Sequence, residues 1–290
     1  MRLSGPGLAF IYLGLCLLPL LLALGRDVAP LDAWESAGAA LGMVAVVAMA
    51  IQFMTSGRFQ VVSGRLGIDK IMAFHKVAAW WVLIAVALHP LAYVLPTWID
   101  DPALAAERLN VYLTVPHYRS GVVALSALLT LVVTSVLRDR LPWRYEIWRA
   151  AHLVLGLVAV GGGLHHAVTT GRFSAMGPVH GFWWTVGLSV LAVMAVLYGW
   201  RWANLHWHPW RLSAVTKLAD RMWELDIQPD AKTVTPGYSA GQFVWMSEGK
   251  RRFPLFDHPF SIADSPTRPG MSVIIKEAGD FTGRIGSLAP

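Results

Sequence analysis

The chain reads as an all-α membrane bundle of six helices followed by a small antiparallel β-barrel that is incomplete at its C-terminal end. Three observations predict this. Six long apolar stretches free of Asp, Glu, Lys and Arg fill roughly the first 200 residues. Two of them carry paired histidines. After Trp200 the apolar runs give way to short alternating ones broken by Pro and Gly.

The stretches lie at about 8–24, 36–54, 77–96, 120–137, 150–168 and 181–200, each long enough to cross a bilayer. Composition agrees: 55% of the 290 residues are hydrophobic and 14% charged, which is too apolar for an ordinary soluble domain. The first stretch shares features with a signal peptide, since it follows Met1-Arg2 and is interrupted by Pro19, but no clear small-x-small cleavage site precedes Arg26. It is read as a span. The single cysteine, Cys16, excludes a disulfide framework and a thiolate metal cluster.

Orientation follows from the loops. Arg58, Arg65, Lys70 and Lys76 lie between or beside the second and third stretches, and Arg138, Arg140, Arg144 and Arg149 between the fourth and fifth. These loops are expected to be cytoplasmic. Fewer cations (Arg26, Arg108, Arg119, Arg172) lie in the opposite loops, beside Asp27, Asp32, Glu35, Asp100, Asp101 and Glu107, so both termini are expected in the cytoplasm. This bias accounts for the net charge of +6 without a nucleic-acid partner.

An ionisable side chain in the hydrocarbon layer is costly enough to point to function, and imidazole is an axial ligand of haem iron. Fourteen residues separate His75, at the entry to the third stretch, from His89 within it, about 40° short of four full turns at roughly 100° per residue, with a rise of about 21 Å. The two rings then share one face at opposite sides of the bilayer. His152 and His166 repeat the spacing on the fifth stretch, whereas His165 falls about 140° from His152; straight-helix geometry prefers His166. Both stretches run outward, which puts His75 opposite His152 and His89 opposite His165 or His166. A lone membrane histidine can simply hydrogen-bond a neighbouring helix, but packing does not require matched depths on two helices. Pro90 is expected to kink the third helix. His117, His180, His206 and His208 read as interfacial residues. Tyr93, on the face of His89, reads as an aromatic-belt tyrosine that can also line an outer acceptor site.

Arg201 to Arg211, rich in tryptophan, reads as an interfacial exit. Beyond it, Met222–Ile227, Gln242–Met246 and Met271–Lys276 have the alternation of antiparallel strands. His258-Pro259-Phe260-Ser261-Ile262 and Lys276-Glu-Ala-Gly279-Asp280-Phe281-Thr282 form a second constellation. A strand alternating a phosphate-reaching side chain, a ring and a hydroxyl can lay out a flavin, and Gly279 lets backbone amides approach a pyrophosphate. Each motif is weak alone, since Gly-Asp is a common turn.

Taken together, six helices with histidine pairs on the third and fifth, then His-Pro-Phe-Ser and Gly-Asp-Phe-Thr in a β domain, resemble the ferric reductase and NADPH oxidase superfamily over essentially the whole chain. The resemblance implies a di-haem membrane domain at 1–205 and an FAD-binding β-barrel of ferredoxin-reductase type at 206–290. It implies two b-type haems held by His75, His89, His152 and His166 or His165, since relatives use either spacing on the fifth helix. FAD would lie against His258, Pro259, Phe260, Ser261, Ile262 and Lys276, with the pyrophosphate at Gly279, Asp280, Phe281 and Thr282. Gly241-Gln242-Phe243 resembles the preceding barrel strand. The implied activity carries electrons from NAD(P)H through FAD and the haems to an external ferric chelate or dioxygen, with ferric iron favoured, in a bacterial-type inner (plasma) membrane.

The family continues into a nicotinamide-binding domain, and no G-x-G-x-x-G follows a strand here. The expectation is a piece of a longer reductase, or a nicotinamide domain supplied by a separate polypeptide. Arg58, Arg138, Arg144 and Arg149 are candidates for haem-propionate pairing, beside their plainer role as positive-inside residues. Two other classes compete: a haem subunit relaying electrons for another enzyme, against which the flavin motifs count, and a transporter using histidines as proton relays, which would hold no haem.

Overall fold

The computed structural model describes residues 5–24, 32–59, 67–174, 177–230, 237–249, 253–268 and 270–290. Met1, Arg2, Arg26, Asp27 and Arg65, used above for the first span and the orientation, lie outside them. The chain forms two compact units, Met1–Val193 and Met194–Pro290.

In the first unit the helices are α1 (Gly5–Ala23), α2 (Ala33–Gln52), α3 (Ile68–Asp100), α4 (Pro102–Thr114), α5 (Arg119–Val136), α6 (Tyr145–Thr170) and α7 (Gly177–Met194). Six segments are long and apolar enough to span a membrane: α1, α2, α3, a segment including α5, α6, and Gly177–Trp207, in which α7 continues through a π-turn at Ala195–Trp200 into α8 (Arg201–Trp207). The protein is an integral membrane protein. The third span begins at Ile68 rather than near 77, because Asp69, Lys70 and Lys76 occupy its end turns, where long side chains reach the interface. It remains helical through Pro90 and Pro96.

One further helix was not anticipated. α4 has Pro102 in its first turn and is capped by Asp101, whose Oδ1 accepts from the Ala103 and Leu104 amides at 3.0 Å each. Its burial is slight, with Ala105 its buried residue.

Along α2 the sequence Ala-Gly-Ala-Ala-Leu-Gly is small enough for close approach to α3, and α5 packs along α6. α2 also touches α6, and α3 touches α5, so these four helices form the bundle that contains the histidines. Val46, Met49, Val82, Leu128, Val132, Ala159 and Val160 fill its buried core. Lipid tails are as apolar as these side chains, so close packing and interhelical hydrogen bonds hold the helices together, more than exclusion of water does.

The second unit contains β1 (Trp210–Ala219), β2 (Met222–Pro229), β3 (Phe243–Met246), β4 (His258–Ser261) and β5 (Met271–Lys276). The antiparallel order is β1-β2-β5 in one sheet and β3-β4 in another, bridged where Ile262 pairs with Val273. The described strands form an open pair of sheets, and no pairing of β1 with β3 closes a barrel among the described residues. Leu225, Ile227, Met271, Val273 and Ile275 face Phe281 and Ile285 in the unit's core. Asp220 and Arg221 turn β1 into β2, with Arg221 at φ 55°.

Candidate functional site

His75 and His152 each lie seven residues into their helices, α3 and α6, so they meet at one level of the bundle. Their ring centroids are 6.3 Å apart with planes at 42°. Imidazole nitrogens bind a transition metal at about 2.0–2.1 Å, and with the ring centre roughly 1.1 Å behind the nitrogen, two rings on one metal stand about 6.3 Å apart. The spacing fits a single iron between them.

Neighbouring hydroxyls select the tautomer. Thr55, 8% exposed, donates its proton to Gln52 Oε1 at 2.7 Å and so offers a lone pair to His75 Nδ1 at 3.3 Å. Ser135 Oγ donates to the Leu131 carbonyl at 2.7 Å and faces His152 Nδ1 at 3.1 Å. A hydroxyl whose proton is committed can only accept, which puts the imidazole proton on Nδ1 and leaves Nε2 as the free donor atom. Gln52 Nε2 also donates to the His75 carbonyl at 3.1 Å.

At the other end of the bundle His89 and His166 stand 6.2 Å apart with planes at 84°. His89 Nδ1–H donates to the Gly38 carbonyl at 2.7 Å, which leaves its Nε2 free as well. His165 is exposed, and His166 is the member of that couple that faces the bundle. Tyr93 meets the His89 ring edge-on at 5.6 Å. A shallow cavity of about 310 Å³ lies beside α4, lined by Leu104, Glu107, Arg108, Val111, Tyr112 and Tyr118. Burial, then the neighbouring Tyr118, pushes the Tyr112 phenol above its ordinary value, with Arg108 acting against the shift.

Four contacts of this site are not readable from local sequence: Thr55, Ser135, Gly42 and Gly121. A Cβ at Gly42 would sit 2.8 Å from the His89 ring, and one at Gly121 2.8 Å from His166 Nδ1. Small residues in spanning helices are a general sign of close packing, and that was the available signal. What they pack against was not.

The remaining predicted residues divide. Arg58 is buried just beyond α2. Arg138 lies over Tyr145 and Trp148 at 5.0 and 5.1 Å and pairs with Asp139, Arg144 lies 4.0 Å from Glu146, and Arg149 lies over Tyr145. His180 accepts from Trp184 Nε1–H at 2.9 Å, and Thr170 donates to the His117 carbonyl. His206 and His208 bond within α8 and its exit, to the Trp202 carbonyl and Asn204 Oδ1.

In the second unit, β4 alternates: His258 and Phe260 are half-buried while Pro259 and Ser261 are exposed. Phe281 joins the two inward rings, stacked on His258 at 4.2 Å and on Phe260 at 6.0 Å. Ile262 N donates to the Gln242 carbonyl at 3.0 Å, tying β4 to the turn at Gly241, whose φ of 84° suits glycine. Lys276, Gly279 and Asp280 are exposed, and nothing lies within 4 Å of a Cβ built at Gly279. That open face fits a ligand laid across the end of β5. The amides of Ala278 and Gly279 donate to Thr282 Oγ1 at 2.8 and 2.9 Å, the turn being short enough for the hydroxyl to reach back. Thr282 therefore holds the turn's shape.

The approach to β4 is also built. Arg201 of α8 reaches Asp257, which is 2% exposed, at 3.8 Å and lies over the Trp245 ring, while Tyr198 stacks on Phe253 at 6.0 Å.

Comparison with known proteins gives two family matches in chain order. Residues 41–163 match the ferric reductase like transmembrane component, and residues 210–289 match an FAD-binding domain. An uncharacterized protein of Archaeoglobus fulgidus is 28% identical over 130 residues, which cover 44% of this chain and 71% of that one.

Proposed function

We propose, from the premise that this chain belongs to the ferric reductase and NADPH oxidase superfamily, that residues 1–205 form a di-haem domain and residues 206–290 its flavin domain. The chain is a transmembrane flavin-dependent oxidoreductase. Bound FAD would accept reducing equivalents from NAD(P)H, and two b-type haems would relay single electrons across the bilayer to an external acceptor, a ferric chelate or dioxygen.

His75 and His152 hold the inner haem in this reading, and His89 and His166 the outer one. The observation that carries it is the pair of ring spacings, 6.3 and 6.2 Å, at two levels of one bundle. The hydroxyls of Thr55 and Ser135 and the carbonyl of Gly38 keep the ligating nitrogens unprotonated and orient the rings. Core side chains such as Val46, Val82 and Val160 exclude water from the bundle. Arg58, buried three residues beyond Thr55, is proposed to pair with a propionate of the inner haem. Tyr93, edge-on to the His89 ring at 5.6 Å, would line the outer acceptor site.

On the flavin side, Ser261 is proposed to approach the reactive nitrogen of the isoalloxazine and Phe260 to back the ring. His258 would lie by the ribityl phosphate, with Pro259, Ile262 and Lys276 completing the bed. Gly279, Asp280, Phe281 and Thr282 would border the pyrophosphate. The nicotinamide-binding domain is proposed to act in cis or in trans, on the cytoplasmic side, where the cation bias of the loops leads us to propose that both termini lie.

Haem quantitation on the purified protein tests this. The expected ratio is two per chain, falling to about one in His75→Ala, His152→Ala and His89→Ala. An unchanged ratio in a folded variant would exclude that histidine as an essential ligand.

A further inference from the structure

The two histidine pairs differ in how their ring planes are held. The inner planes cross at 42° and the outer at 84°. Thr55 and Ser135 hold the inner rings through hydrogen bonds, and a ring held at one nitrogen can still pivot about it. Close backbone packing confines the outer rings. A Cβ at Gly42, on α2, would meet His89 Cε1 and Nδ1 at 2.8 Å each; one at Gly121, on α5, would meet His166 Nδ1 at 2.8 Å and Cε1 at 2.9 Å. Contacts under 3.0 Å do not occur in relaxed packing, so any side chain at either position must turn or displace the ring. His89 is held from two sides, by the backbone at Gly42 and through Nδ1–H to the Gly38 carbonyl at 2.7 Å. Among the described glycines from Gly14 onward, none has either inner ring among the three atoms its Cβ would first meet.

We propose that Gly42 and Gly121 are positioning residues that hold the outer histidines with crossed planes, giving the outer haem an axial geometry different from the inner one. This rests on the di-haem reading. Each axial imidazole donates π density along its own plane normal. Crossed planes leave the two iron orbitals of that symmetry nearly equal in energy, while aligned planes split them. A ferric low-spin centre with crossed imidazoles therefore gives a highly anisotropic electron paramagnetic resonance signal, and an oblique pair a more rhombic one. Ring orientation also tunes potential, through the axial-ligand and distortion levers a protein has over haem.

The test is low-temperature electron paramagnetic resonance of the oxidised full chain, with haem quantitation. Wild type is expected to show two low-spin signals, and His89→Ala should remove the one with the larger maximum g value. Gly42→Ala and Gly121→Ala should lower that g value or lose the outer haem, halving the haem content, with the second signal unchanged. Gly161→Ala, on α6 with nothing within 4 Å of its added Cβ, should leave both signals as they are. Two haems with an unaltered anisotropic signal in both glycine variants would overturn the inference. If either variant fails to fold, wild type against His89→Ala still decides: two signals of equal anisotropy, or loss of the more rhombic one, would overturn it. A chain without haem would instead overturn the di-haem reading itself, a result readily told apart from an unaltered signal.

Discussion

Ser135→Ala removes one oxygen from the bundle and should loosen the inner haem without disturbing the outer. The Ser135 hydroxyl gives its only proton to the Leu131 carbonyl at 2.7 Å, so its role toward His152 Nδ1, 3.1 Å away, is that of acceptor. Alanine leaves that N–H without the acceptor, in a site that is only partly buried. A polar group left unsatisfied in the interior costs about 1–3 kcal/mol; partial exposure favours the lower half, about 1–2 kcal/mol. At about 1.4 kcal/mol per tenfold, haem release from the inner site should be about five- to thirtyfold faster. The assay follows haem transfer to an excess of a haem-scavenging apoprotein, the two sites being told apart by their separate loss phases. Ser135→Thr should restore retention. Thr130→Val, which removes a hydroxyl bonded only within α5 to the Ser126 carbonyl, should have no effect. Equal release rates in wild type and Ser135→Ala would refute the argument that the serine orients a ligand.

Three further outcomes are expected. His166→Ala should halve the haem content while His165→Ala leaves it near two per chain, since His166 faces His89 and His165 is exposed; the reverse ranking in purified protein would overturn the assignment. Gly286→Ala drives a Cβ into the Trp223 ring, which cannot retreat because its Nε1–H donates to Glu277 Oε1 at 2.7 Å. The overpacking should cost about 1–3 kcal/mol and lower the temperature of flavin release by about 4 °C or more, read by flavin fluorescence. Phe281→Ala deletes the ring stacked on His258 and Phe260 and should destabilise the flavin unit by about 3–5 kcal/mol, seen as loss of copurifying FAD from membranes that retain both haems.

Charge-free length alone made the spans legible, and helical arithmetic paired the histidines, because a spacing of fourteen residues returns nearly to the same face. The ends of the third span were less readable: Asp69, Lys70 and Lys76 belong to its helix but look like loop to any search for uncharged residues. α4 was missed for a related reason, being too short and too polar to register as a span. Thr55 and Ser135 reach their histidines across 20 and 17 residues, from another element each time, so no local pattern reports them. Gly42 and Gly121 looked like ordinary small residues until their neighbours were in place. In the flavin unit the strand alternation of Met271–Lys276 was plain, whereas closure of a barrel depends on pairings between distant strands, and the described sheets stay open.

The central claim is that the four histidines form two iron-binding pairs. A dithionite-reduced minus oxidised absorption spectrum of the purified chain, with haem, flavin and protein quantified on the same sample, tests it most directly. The account predicts six-coordinate b-type haem at two per chain together with FAD. A folded chain that binds FAD and no haem would contradict it.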